Sequence, residues 1–248
     1  MSYPAEKVSF ETPYRIESVH WWLRARRRIL LDFISRLTPA RDGALVVDIG
    51  CGAGTTLFAV SRMGYRTLGI DNNPMGVEKA RSLGLSDVRL GEAPDAFDPL
   101  PPGPYLFLLA DVIEHIEDDY GQFGAMVARM PSGSKVVVTV PALMCLWSEH
   151  DVMYGHYRRY TRESLERLLK DTGLEVRFIS YFCSLLFPLV FMVRKARKLV
   201  TSKLPPDLEE VNPVLNKALE TVFSVERYLL RFTTLPVGSS LLAVAEKK

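Results

Sequence analysis

Apolar residues along the first half of the chain occur in two arrangements. Short continuous runs predict buried strands, and runs spaced by three or four positions predict amphipathic helices. The strands are predicted at residues 45–47, 66–70, 87–90, 105–110 and 135–140. The helices are predicted at residues 16–37, 55–63, 74–83 and 118–130. Strands that alternate with helices in this way predict a parallel sheet with helices on both faces.

The second half of the chain adds one helix and two further strands. Thr161 is a helix-capping residue and Gly173 is a stop signal, and a helix with leucines on one face lies between them. Alternating residues predict a sixth strand at 175–181, and the seventh is predicted at 239–245. The predicted fold is therefore α/β, with a seven-stranded, mostly parallel sheet.

An insert at residues 184–236, before the last strand, exceeds what such a sheet requires. Its apolar run is followed by the cations Arg194, Lys195, Arg197 and Lys198. After a break at Pro205-Pro206, a helix begins at Asn212-Pro213. Apolar side chains recur along it at positions 215, 218, 222, 225, 229 and 232. We interpret the insert as a helical lid or substrate subdomain.

Acidic residues follow four successive predicted strands. They are Asp48, Asp71, Glu92 and Asp111. Ligands of parallel sheets bind outside the carboxyl ends of the strands, so these carboxylates point to a binding site. The glycines after the first strand stand at 50, 52 and 54, whereas a dinucleotide fingerprint would need glycine in place of Thr55. The loop also lacks the lysine of a phosphate-binding P-loop.

Four segments at these strand ends resemble the motifs of class I S-adenosylmethionine-dependent methyltransferases. Asp48–Gly54 (DIGCGAG) resembles the first motif, and Gly69–Pro74 (GIDNNP) resembles the second, whose acidic residue holds the ribose hydroxyls. Gly91-Glu92-Ala93 resembles the segment beside the adenine, with glutamate where the family more often has aspartate. Residues 110–116 (ADVIEHI) resemble the motif after strand four in the ubiquinone- and menaquinone-methyltransferase-like branch.

The resemblance implies a Rossmann-like fold that uses S-adenosylmethionine and releases S-adenosylhomocysteine. The cofactor-binding residues it implies are Asp48, Gly50, Cys51, Gly52, Gly54, Asp71, Asn72, Glu92, Ala93 and Asp111. We divide the single domain, residues 1–248, into four segments. They are an N-terminal helical cap (1–40), a cofactor-binding core (41–183), the helical insert (184–236) and the last strand (237–248).

Composition and charge narrow the range of partners. A formal net charge of +2 argues against nucleic acid, and the Arg24–Arg28 cluster is more typical of a solvated helix face. Three scattered cysteines predict free thiols in the cytoplasm and no metal site. No signal peptide is expected, and the apolar run Tyr181–Val193 is shorter than the roughly twenty residues of a membrane span. Peripheral membrane contact through 184–203 stays open.

The four histidines supply candidates for a base. Transfer from a sulfonium is an in-line displacement, and a base assists when the acceptor is a hydroxyl. His115, after strand four, is the first candidate, followed by His150 and His156 in a polar loop after strand five. Asp151 is expected to orient its neighbour His150. Histidine bases favour O-methylation, while carbon and nitrogen acceptors remain open.

Candidate acceptor-binding residues come from the N-terminal helix and the same loop. They are His20, Trp22, Tyr154, Arg158 and Tyr160. Arg158 and Arg159 are suited to an anionic group, and the insert favours a hydrophobic, lipid-like small molecule. Alternatively, the loop is a surface loop held by its own side chains, and core packing is a strong alternative explanation for the apolar insert.

Two other functions compete with a methyltransferase. One is a non-catalytic S-adenosylmethionine-binding subunit that needs a partner. The other is a nicotinamide-dependent dehydrogenase, which Thr55 opposes. The sequence leaves the oligomeric state open.

Overall fold

A computed structural model describes residues 16–40, 43–100, 103, 105–199 and 211–248. Its strands are β1 Leu45–Ile49, β2 Arg66–Asp71, β3 Val88–Leu90, β4 Leu106–Ala110, β5 Lys135–Pro141, β6 Leu174–Phe182 and β7 Ser240–Lys247. They form one seven-stranded sheet in the order β3-β2-β1-β4-β5-β7-β6. β7 is antiparallel to β5 and β6, and the other described pairings are parallel. The predicted fold class is confirmed.

Eight α-helices with defined bounds surround the sheet, and the described residues 16–19 are also helical. They are α1 Trp21–Leu37, α2 Thr55–Arg62, α3 Pro74–Ser82, α4 Asp119–Arg129, α5 Glu149–Met153, α6 Arg162–Asp171, α7 Phe187–Leu199 and α8 Pro213–Leu229. The predicted helices lie within a few residues of these bounds, with one correction. The helix predicted over 16–37 is interrupted at His20, which is extended and caps α1 by accepting a hydrogen bond from the Trp22 amide.

The sheet brings distant acidic residues to one edge. β1 lies between β2 and β4, and Asp48 is in register with Gly69 on one side and Leu108 on the other. β1 and β4 are buried almost throughout, because helices cover both faces of the sheet. The carboxyl ends of β1, β2 and β4 therefore open at the same edge, as expected from the sequence.

The insert packs against the N-terminal helix. Phe223 of α8 is buried against the rings of Trp21, Trp22 and Phe182. α8 thus covers α1, and α1 in turn lies over the sheet. Among the described residues, no helix combines the length and the apolarity that crossing a bilayer requires. Predictions for residues 1–15, for 41 and 42, and for the Pro205-Pro206 break lie outside the described residues.

Candidate cofactor and acceptor site

The glycine-rich turn after β1 depends on left-handed backbone angles. Gly50, Gly52 and Gly54 have φ values of 71°, 54° and 76°. A Cβ on Gly54 would lie 2.7 Å from the Ala80 Cβ, because helices α2 and α3 meet there. At Gly52 the nearest atom to such a Cβ is an oxygen of Glu17, 3.8 Å away. Gly54 therefore serves packing, while the backbone at Gly52 is open to a ligand.

Substituting Gly54 by alanine tests this packing role. We expect Gly54→Ala to lower the free energy of unfolding by about 2–5 kcal/mol, because a strained φ is combined with a steric clash. Gly84→Ala is the matched control, since Gly84 has a φ of 90° and a Cβ at that position would have no neighbour within 4 Å. Urea unfolding should show only about 1–2 kcal/mol for the control. Equal losses in the two variants would contradict the packing role.

Asp71, at the end of β2, is held in a fixed orientation. One carboxylate oxygen accepts a hydrogen bond from the Gly52 amide at 2.7 Å, and the other accepts one from the Asn73 amide at 2.8 Å. Burial raises the pKa of Asp71, and these two bonds oppose that rise. The side chain of Asn72 donates to Glu92 at 3.3 Å. The turn and the two acidic residues therefore form one continuous polar edge.

Three further cofactor candidates lie next to this polar edge and are buried or half-buried: Asp48, Cys51 and Ala93. Burial raises the pKa of Asp48 to about 8, opposed by Arg26 and reinforced by the charges of Asp71 and Glu17. Burial also raises the pKa of the Cys51 thiol well above its ordinary value. Ala93 is half-buried against the core. Asp48 and Cys51 therefore line the base of the site in their neutral forms at pH 7.

Helix α1 covers the carboxyl ends of the strands through charged contacts. Arg26 forms an ion pair with Asp111, whose other oxygen accepts from the Thr139 hydroxyl at 3.2 Å. Thr55 donates to Glu17 at 2.9 Å. A cavity of about 120 Å³ lies beside these contacts, between α1 and the glycine-rich turn. The prediction of a solvated arginine cluster is therefore wrong for Arg26, which sequence spacing could not connect to Asp111.

The loop after β5 brings three predicted histidines together. The rings of His115 and His156 lie 4.6 Å apart and nearly perpendicular, and His150 is 6.3 Å from His156. The Nδ1 atom of His156 is 3.0 Å from the carboxylate of Asp151. This corrects the expected pairing, because the structure places His156 on Asp151 where the sequence predicted His150. The intervening helical turn α5 folds the chain back and causes this difference.

Electrostatics distinguish these histidines. Burial and the neighbouring His156 lower the pKa of His115 to about 4, so His115 is neutral at pH 7 and weakly basic. Burial would raise the pKa of Asp151, but hydrogen bonds from His156 and Arg159 outweigh burial and hold that pKa well below its ordinary value. Asp151 is therefore an anion that accepts a hydrogen bond from the Nδ1–H of His156. In the neutral imidazole this arrangement leaves Nε2 as an acceptor.

The loop is anchored by several of the residues predicted to contact the acceptor. Arg159 is buried and donates to both oxygens of Asp151 at 2.8 and 3.0 Å. Arg158 lies 2.5 Å from Asp119, and the buried Tyr160 hydroxyl donates to the same carboxylate at 2.7 Å. These contacts favour an anchoring role over the predicted contact with an anionic acceptor. Tyr154 is exposed, and its ring lies 4.4 Å from that of His150 at a tilt of 39°, which suits an acceptor contact.

The two aromatic candidates of the N-terminal helix differ in their surroundings. His20 is buried at the start of α1, with its ring 5.5 Å from that of Trp21. Trp22 packs on Phe223, and the guanidinium of Arg26 lies 5.0 Å from the centre of its ring. Trp22 therefore adjoins the cofactor edge through Arg26, while His20 is a capping residue.

Glu114 is a site residue that the sequence pattern does not single out. It is completely buried, and among the described residues neither carboxylate oxygen has a hydrogen-bond partner. Burial and the charge of Asp111 raise its pKa well above the ordinary value. Glu114, His115 and His156 each place one ligand atom within 4.8 Å of the others, so they could hold a metal ion. The metal-free site expected from the sequence stays a prediction. In the sequence, the position of Glu114 next to the candidate base His115 is the feature that could have identified it as a site residue.

Comparisons with known proteins agree with the motif assignments. Residues 22–177 match the family model described as a methyltransferase domain. A ubiquinone biosynthesis O-methyltransferase of Xylella fastidiosa (strain 9a5c) is 29% identical over 132 residues, which cover 48% of this chain and 53% of the relative. One from Rhizobium etli is 29% identical over 160 residues, covering 54% and 61%. The chain thus spans about half the length of the first curated relatives it matches.

Solved structures share the fold at low sequence identity. One is a complex of the Haloferax volcanii Trm112 methyltransferase activator with a methyltransferase, with a TM-score of 0.60, 19% identity and coverage of 96% of this chain and 93% of the other. A SAM-dependent methyltransferase from Archaeoglobus fulgidus has a TM-score of 0.55 and 19% identity, covering 89% and 94%. These neighbours confirm the Rossmann-like arrangement predicted from the sequence.

Proposed function

This chain belongs to the methyltransferase-domain family, and from that premise we propose that it methylates a hydroxyl group of a small, hydrophobic or lipid-like molecule with S-adenosylmethionine. The cofactor supplies an already activated methyl group, so the protein has to align the acceptor and exclude water. The observation that carries the proposal is the Asp151–His156 pair, which supplies an oriented base after β5 at the sheet edge where the cofactor motifs also lie.

The polar edge fits the chemical groups of the cofactor. Asp71 has the geometry to accept two ribose hydroxyls, and Glu92 lies beside it for the adenine. The open backbone at Gly52 permits close approach. Asp111 supplies negative charge for the ammonium or sulfonium group, and Arg26 would have to release Asp111 when the site fills. Asp48 lies at the base of the site in its neutral form.

We assign the base to His156 and a positioning role to His115. The acceptor hydroxyl transfers its proton to Nε2 of His156 while its oxygen bonds to the methyl carbon and the sulfur–methyl bond breaks. The carboxylate of Asp151 stabilises the resulting imidazolium. His115 is a weak base because its pKa is about 4, so its suitable role is to hydrogen-bond the acceptor.

The acceptor class rests on two observations. The curated relatives carry the name ubiquinone biosynthesis O-methyltransferase, which supports a hydroxyl on a lipid-like small molecule. The insert also displays apolar side chains next to the loop that holds the histidines, with Arg194 of α7 donating to the Leu146 carbonyl at 2.6 Å. A hydrophobic acceptor agrees with both observations.

A second function has one specific observation in its favour. The structural neighbour that contains the Trm112 activator shows this fold in complex with a partner protein. A non-catalytic or partner-dependent subunit would bind S-adenosylmethionine in the same way and would transfer no methyl group alone.

Methyl-labelled S-adenosylmethionine distinguishes these functions. The purified protein is incubated with the labelled cofactor and a bacterial lipid extract, and label is counted in the organic, aqueous and protein fractions. We expect label in the organic fraction, and none there when cofactor binding is removed by Asp71→Ala. Label in the protein or aqueous fraction would contradict the lipid-like acceptor. Cofactor binding without any transfer until cell extract is added would favour the partner-dependent subunit.

A further inference from the structure

The apolar stripe of α8 faces solvent instead of the core. The positions that define the stripe include Leu215, Val222 and Val225, which are 51%, 41% and 42% exposed, and Phe232 just beyond the helix, which is 89% exposed. The opposite side of the helix carries Glu220 and Glu226, and both are completely buried. Because Phe223 on the inward side is also buried, α8 is apolar on both sides, whereas an ordinary surface helix has a single apolar face that is turned inward.

Contacts with the rest of the fold hold α8 in this orientation. Glu220 pairs with Arg28 at 2.7 Å and with Arg24 at 3.4 Å, both on α1. A carboxylate oxygen of Glu226 accepts hydrogen bonds from the amides of Ser184 and Leu185 at 2.7 and 2.8 Å. Rotating the helix to bury its apolar stripe would break these buried contacts and leave charges unpaired. The exposed stripe is therefore a stable feature of the fold.

The start of α7 also exposes apolar side chains. Leu185, whose amide is bound to Glu226 of α8, is 47% exposed, and Leu189 and Met192 are exposed one and two turns further along. We call the exposed apolar side chains of both helices the insert face. They are Leu185, Leu189, Met192, Leu215, Val222, Val225 and Phe232.

In the described part of α7 and α8, the exposed charged side chains are positive. Glu220 and Glu226 are the acidic residues of the α7 and α8 helices, and both are turned inward. The cations remain outside: Lys195 lies next to the apolar residues of α7, and Lys217 is exposed on α8. The sequence adds Arg197 and Lys198 to α7. Apolar side chains flanked by cations are complementary to an anionic lipid surface.

We propose that the insert face docks on an anionic lipid bilayer and thereby places the histidine-containing loop after β5 next to the source of a lipid-like acceptor. The inference rests on the proposed function for the acceptor, but docking itself needs neither cofactor nor transfer. Arg194 connects the two regions, because it bonds to Leu146 and lies 4.0 Å from Asp151. A symmetric contact with a second copy is less favourable, since it would bring like cations together.

Vesicle binding tests the proposal directly. The 248-residue chain, without cofactor, is sedimented with vesicles of phosphatidylcholine alone or of phosphatidylcholine and phosphatidylglycerol at 3:1. We expect binding to the anionic vesicles, and about ten-fold or greater weakening by the double substitution Val222→Asp and Val225→Asp. Lys195→Gln and Lys217→Gln should each weaken binding by about five-fold. Phe58→Asp and Lys170→Gln are the controls, because both residues are exposed outside the insert face.

The outcomes separate docking from the proposed chemistry. Circular dichroism and S-adenosylhomocysteine binding verify that each variant is folded. Binding that is absent, or unchanged in the insert-face variants, would overturn the proposal. A different result is that the unsubstituted protein binds no vesicles and yet differs from the double variant in the molar mass measured by light scattering. That result would assign the insert face to contact with a second copy of the chain. Vesicle binding with no methyl transfer to lipid would keep the docking surface and contradict the proposed acceptor instead.

Discussion

His156→Ala should lower the kcat of methyl transfer by about 10²- to 10⁴-fold, which is the usual contribution of a positioned general base. The variant should fold, because Asp151 keeps both of its hydrogen bonds from Arg159 when His156 is removed. Affinity for S-adenosylhomocysteine should be unchanged, since Asp71, which we propose as the ribose-binding residue, is held by backbone amides of another loop. Single-turnover kinetics with labelled cofactor measures the chemical step, and calorimetry measures affinity.

Controls separate a base from a residue that only shapes the loop. His150→Ala removes a ring that lies 6.3 Å from His156, and we expect less than about a ten-fold loss for it. Added imidazole should restore part of the activity of His156→Ala, because a small base can occupy the space of the lost ring. Equal losses in the two variants without imidazole rescue would remove the base assignment.

Asp71→Ala should weaken S-adenosylhomocysteine binding by about 10²-fold or more. A carboxylate that accepts two ribose hydroxyls forms two charge-assisted hydrogen bonds, each of which contributes about 1.5–3 kcal/mol. The substitution also frees the amides of Gly52 and Asn73, so the turn loses its present restraint. Isothermal titration calorimetry measures the affinity, and Asp71→Asn shows how much of it depends on charge alone.

Asp87→Ala is the matched control for this prediction. Asp87 is a half-exposed carboxylate just before β3, and it pairs with Arg89 at 3.3 Å away from the glycine-rich turn. We expect its S-adenosylhomocysteine affinity to match that of the unsubstituted protein. An affinity of Asp71→Ala within about three-fold of that control would place the ribose elsewhere.

The sequence by itself determined the layout of the sheet and one edge of the site. Strand and helix periods are local properties, so β1 to β5 and the helices between them could be predicted from the spacing of apolar residues. Parallel strands then bring their carboxyl ends together, which is why Asp48, Asp71 and Asp111 could be predicted as one group. The motifs identified the family because they depend on the same short-range spacing.

Only the tertiary structure decided which side chains meet across long separations and which face of a helix is buried. His156 reaches Asp151 because α5 turns the loop back, and Arg26 reaches Asp111 because α1 crosses the strand ends. In α8 the spacing of apolar residues by three and four positions defines a stripe, but it does not indicate whether the stripe faces the core or the solvent. Pairing of Glu220 with Arg24 and Arg28 and burial of Phe223 against α1 together turn that stripe outward, since these contacts occupy the interface that the stripe would need.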